Sequence, residues 1–160
     1  MYREFIEIRN EKTKSLERAK KICIESIQAV LNCLDDNFGV VTGCSLRLGD
    51  AIGNINKKNE SLMPLNIISS NDKKTGDIIV MAKGTIVLSI ENDDYPVFIS
   101  AKMGIYNDDS AKIEVPSSIN IEDGSFKRES ICYKNGDDKK TLAPIIDAII
   151  EELKIKIKLK

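Results

Sequence analysis

The chain has 160 residues, with 24 Lys or Arg against 25 Asp or Glu, and contains neither histidine nor tryptophan. A domain of this length buries roughly 70% of the surface its unfolded chain exposes, enough for a self-sufficient core. The net charge of −1 argues against a dedicated nucleic-acid-binding domain, which needs surplus cations to displace phosphate counterions. The missing histidine removes Ser-His-Asp and Cys-His chemistry and most zinc sites.

With 42% hydrophobic residues but 5% aromatics, the core is expected to be Ile, Leu and Val. Cys23, Cys33, Cys44 and Cys132 have no C-x-x-C spacing and are expected to be reduced structural thiols. The charged start MYREFIEIRNEKTKS lacks the apolar run of a signal peptide, and no stretch approaches the ~18 apolar residues of a membrane span. With unpaired cysteines, this leads to the expectation of a cytoplasmic protein with no membrane contact.

Residues 1–36 are predicted as one long helix. Leu16, Ala19, Cys23, Ile27, Val30 and Leu34 recur at three- and four-residue steps, widened by Ile22, Ile24 and Leu31. Glu17 and Lys21 stand in the favourable order for a helical ion pair, and Asn37 and Gly39 are stop signals. Upstream, Tyr2, Phe5, Ile6 and Ile8 form an apolar cluster that the polar RNEKTKS separates from the stripe. The first turns therefore either project from the core or fold back onto it, and residues 4–8 as a strand is the alternative. Because aromatics serve both cores and interfaces, Tyr2, Phe5 and Ile8 are candidates for a dimer seam or a partner-binding helix face.

From residue 39 to 134 the pattern has period two and predicts an antiparallel meander of five to six strands. The stretch VTGCSLRLGDAIGN poses the one phosphate-loop question. Gly43, Gly49 and Gly53 match neither G-x-x-x-x-G-K-[ST] nor G-x-G-x-x-G, so a strand with Gly43 inside it, running into a turn at Gly49-Asp50, is expected. Further strands are predicted at 64–70, 77–91, 97–106, 111–115 and 125–134. NDDYP is read as a hairpin loop longer than two residues. Gly84 and Gly104 interrupt the two best strands, as at bulges or close backbone approaches. One face carries Ile78, Val80, Ala82, Ile86, Leu88 and Ile90. The other carries Lys83, Thr85, Ser89, Ser100 and Lys102 beside Val87 and Phe98, which makes Phe98 a further candidate partner contact.

Asp35-Asp36, Asp93-Asp94, Asp108-Asp109 and Asp137-Asp138 could serve a two-metal nuclease, but each sits at a segment end where Asp forms turns. Residues 141–157 are predicted as a second helix, with Thr141 as N-cap and Pro144 in the first turn. Its stripe is Leu142, Ile145, Ile146, Ile149, Ile150 and Leu153. The tail KIKIKLK reads as a helix end with lysines on its negative pole, or as a lysine-protected edge strand.

The expected fold is a single α+β domain over 1–160, a two-layer helix-on-sheet arrangement with both helices on one sheet face. The expected function is a non-catalytic protein-binding module that holds or occludes a partner, of the immunity, phage or host anti-defence inhibitor, or chaperone type, and forms a homodimer. No cofactor, metal or catalytic residue is expected. The alternative is a small-molecule or nucleotide-signal binder whose pocket lies between sheet and helices, with Arg47, Lys83 and Lys102 holding an anion. A histidine-free hydrolase using paired carboxylates and Mg²⁺ is the third reading.

Overall fold

The computed structural model describes residues 1–49, 66–106, 109–120, 126–134 and 136–159. Helix α1 spans Tyr2–Phe38, strands β1 to β6 span Cys44–Gly49, Asn66–Asn71, Ile78–Ile90, Asp93–Gly104, Ser110–Asn120 and Phe126–Lys134, and helix α2 spans Ala143–Leu159. This is the expected α+β order of long helix, antiparallel sheet and second helix. The sheet runs β1-β3-β4-β5-β6, and β2 pairs with the other half of β3 on the same edge as β1.

Strand alternation and helical periodicity meet in one core. From the strands come Val80, Ala82, Ile86, Val97, Ile99, Ala101, Met103, Ala111, Ile113 and Val115. Ala19, Cys23, Ile27, Val30 and Leu34 of α1 and Ile145, Ile149 and Leu153 of α2 join the same cluster, so both helices cover one face. Gly39 ends α1 with φ 68°, its N–H donating to the Asp35 carbonyl at 3.2 Å. Only glycine takes that left-handed conformation without a steric cost.

Four local expectations are corrected. First, β4 begins at Asp93, so the β3–β4 connection is the two residues Glu91-Asn92 rather than the longer NDDYP loop. Pro96 is tolerated inside β4 because β5 pairs only with Ser100, Ala101 and Lys102, which leaves the Pro96 stretch on an open edge. Second, Gly43 lies in the turn before β1 rather than inside the strand. Its φ of 86° takes it out of extended backbone, and its carbonyl accepts from the Glu91 N–H at 2.7 Å. Gly53 and Asp50 of the same motif lie outside the described residues. Third, Thr141 does not cap α2. A 3-10 turn at Lys139–Leu142 precedes the helix, and its cap is Asp138, whose carboxylate accepts from the Lys140 N–H. Fourth, Glu17 pairs with Lys20 at 3.3 Å, while Lys21 turns to Glu25. The tail is helical to Leu159, with Lys156 and Lys158 in the last turn, where cations complement the helix dipole.

Candidate functional site

The N-terminal cluster does not fold back. Every residue from Met1 to Lys14 is exposed, and Tyr2, Phe5, Ile6 and Ile8 are 85, 58, 51 and 65% exposed although they lie on a continuous helix. The domain first grips α1 at Leu16 and Ala19. Between these two, Arg18 pairs with Asp109 at 3.2 Å, between β4 and β5. Fourteen residues at 1.5 Å each make an arm of about 20 Å that leaves the sheet there. At 100° per residue, Tyr2, Phe5 and Ile8 fall on the same side of the helix as the buried stripe. The arm thus presents toward empty space the face that the rest of α1 buries.

The other candidates fall on the sheet face away from the helices. Cross-strand pairing there sets Ile68, Met81, Lys102, Lys112 and Cys132 in one row and Asn66, Lys83, Ser100, Glu114 and Ser130 in the next. Beside the second row lies the Thr85–Phe98 pair. Glu114 accepts Lys112 at 3.3 Å and Lys102 at 3.6 Å, so one carboxylate serves two lysines. Phe98 is 46% exposed, and the Lys156 ammonium of α2 lies 5.6 Å from its ring centroid, within cation–π range.

Two adjoining depressions mark this face. The larger, about 650 Å³, is lined by Asp72, Asp77, Ile79, Lys102, Gly104 and Tyr106 among others. The smaller, about 280 Å³, is lined by Met81, Lys83, Phe98, Lys102, Glu114 and Pro116 among others. They share Lys102 and adjoin along β3 and β4, and are called the outer-face groove below. The structure therefore brings Phe98, Lys83 and Lys102 together. Arg47 stands apart, opposite Val87 on β1. None of the three cations lines a space between sheet and helices, as the small-molecule reading required, because strand alternation turns them all to the opposite face. A hollow of about 270 Å³ does lie between the end of α1 and the sheet, lined by Phe38, Val41, Leu46, Leu88 and Ile90 among others, and Asp35 is the charged residue on its wall.

Sequence reasoning missed Asp72, Asp77 and Tyr106 as groove residues. Turn chemistry explained the two aspartates: Asp72 accepts from the Lys74 N–H at 2.9 Å, and the Asp72 N–H donates to the Asp77 carbonyl at 2.7 Å. Nothing local in the sequence sets that turn beside Lys102; only the β2–β3 and β3–β4 registers do. Among the described residues, no three His, Cys, Asp or Glu side chains gather as a metal site, and no helix is long and apolar enough to cross a membrane. All four cysteines are free thiols, with Cys23 buried and Cys44 and Cys132 exposed. The chain matches no protein-family model, no curated protein and no solved structure.

Proposed function

We propose that the chain is a non-catalytic protein-binding module that holds or occludes a partner protein through the arm of α1. The observation that carries this reading is the exposure of Tyr2, Phe5, Ile6 and Ile8 on one continuous helix. Soluble monomers rarely keep such contiguous apolar patches uncovered, and a large one marks an interaction site. An amphipathic helix laid into a partner's groove is one standard use of such a face. A second copy of the chain is the simplest partner. Each aromatic brings about 150–250 Å² to a contact, so two arms meeting bury on the order of 1,000 Å², the threshold of a specific interface. An immunity protein, an inhibitor of a defence system and a chaperone all act in this way, without chemistry of their own.

The test is a light-scattering mass of the purified chain beside Phe5→Asp/Ile8→Asp. We expect the unmodified chain to form a dimer or a stoichiometric complex, and the variant to be a monomer with the same circular dichroism. An unmodified chain that is monomeric and recovered without a companion overturns the reading. A small-molecule reading moved from the space between sheet and helices to the outer face has the volume of that groove in its favour, which lies in the range of ligand sites. The double ion pair of Glu114 weighs against it, because the carboxylate offsets the positive charge that Lys102 and Lys112 would offer an anion.

A further inference from the structure

The outer-face groove has a length, a floor and a charge polarity. From Asp77 to Lys83 it follows six residues of β3, about 20 Å at the strand rise of 3.3 Å. An extended polypeptide has the same rise, so about six residues match it. Ile79, Met81, Phe98 and Pro116 give the groove apolar walls. Gly104 also lines it and pairs with Ile79 on this face. One end is lined by Asp72 and Asp77. The other displays the Lys83 ammonium, exposed and ion-paired with no described residue, while Glu114 occupies Lys102 and Lys112 between them.

We propose that this groove holds a short extended segment of a partner polypeptide, with a basic side chain at the Asp72–Asp77 end and an acidic side chain at the Lys83 end. The proposal rests on the reading of the chain as a protein-binding module and adds a second contact surface to it. The polarity is what selects the occupant. A phosphate-bearing ligand gains nothing from the aspartate end, and a polycation gains nothing from the lysine end. Opposite charges at opposite ends also fix the direction in which a segment lies, since the reversed segment sets like charges together.

The test uses the full chain and four fluorescein-labelled hexapeptides that share an Ile-Ser-Leu-Thr centre. They carry Arg then Glu, Glu then Arg, Arg at both ends, or Glu at both ends. By fluorescence anisotropy in 0.15 M salt, one of the two mixed-charge peptides should bind at least tenfold tighter than either like-charge peptide. Lys83→Glu, on an exposed site, should shift the preference toward the peptide with Arg at both ends. Preference for the peptide with Glu at both ends would make the groove an anion site and overturn the proposal. So would no binding of any peptide at 1 mM, or binding indifferent to Lys83→Glu. If the peptides fail while Phe5→Asp/Ile8→Asp still dissolves the assembly, the arm stands and the groove proposal alone falls.

Discussion

The Cys23 thiol lies fully buried where α1 crosses β3, its Sγ donating to the Val80 carbonyl at 3.8 Å. Burial pushes its pKa up from 9.0 to about 11, against a small opposing effect of the Ala82 backbone. Below pH 9 the thiol is protonated in both folded and unfolded chains and costs nothing. Between pH 9 and 11 the unfolded chain has released this proton while the folded chain keeps it. The folded state binds more protons there, so stability falls as pH rises through that window. The Tyr133 phenol, raised by burial and by the neighbouring Cys33 and Asp137, acts in the same direction at the alkaline end. Urea titrations at pH 7, 9 and 10.5 should show a steeper alkaline loss for the native chain than for Cys23→Ala. Parallel curves would mean that Cys23 ionises in the fold as easily as outside it. In the native protein at pH 8, iodoacetamide should modify Cys44 and Cys132 and leave Cys23 untouched, because reactivity follows exposure and thiolate character.

Among the elements, the β3–β4 hairpin carries local strain at its tip. Glu91 is the one non-glycine among the described residues with a positive φ, at 55°. A side chain in that region costs roughly 1–2 kcal/mol, a cost that glycine escapes. Glu91→Gly should therefore raise unfolding stability by about 0.5–1 kcal/mol, the residual gain after glycine's own chain entropy. A urea midpoint that falls instead would show that the Glu91 side chain makes a stabilising contact worth more than the strain. The same hairpin shows where the sequence was legible. Burial alternates from Ile79 to Gly84 and is continuous from Gly84 to Val87, yet the strand was readable to within a residue at each end. Asp93 to Pro96 were not, because two aspartates and a proline are turn formers everywhere except on an open strand edge. Whether an edge is open depends on where β5 stops pairing, a non-local fact. Thr141 failed for a related reason: Asp138 stood three residues upstream and could cap a shorter turn first. At the groove, Lys83, Lys102 and Phe98 were legible from alternation alone. The groove itself was not, since it depends on the strand registers and on a distant turn supplying the aspartates.

Across the whole molecule, two parts of α1 carry opposite tasks. From Leu16 onward the helix is an integral part of the core. Leu34, Ile27 and Val30 are wholly buried against strands far away in sequence. Before Lys14 every residue of the same helix is exposed. An isolated segment of that length is marginal in water, so the arm's helicity is nucleated by the turns that follow it. Folding energy and binding surface are thus separated along one element, and the separation can be measured. Deleting residues 1–14 should leave the unfolding free energy from urea titration within the ±0.5 kcal/mol expected of surface changes. Leu34→Ala, at the packed end of the same helix, should cost about 2–5 kcal/mol through lost burial and the cavity left behind. The deletion should also lower the fluorescence of a bound hydrophobic dye, since it removes the exposed Tyr2, Phe5, Ile6 and Ile8 together. If the deletion instead destabilises the chain as much as Leu34→Ala does, the arm is part of the folding unit. Its apolar face would then be covered by the protein's own copies whenever the protein is folded, and the free arm would exist only at concentrations low enough to unfold the chain.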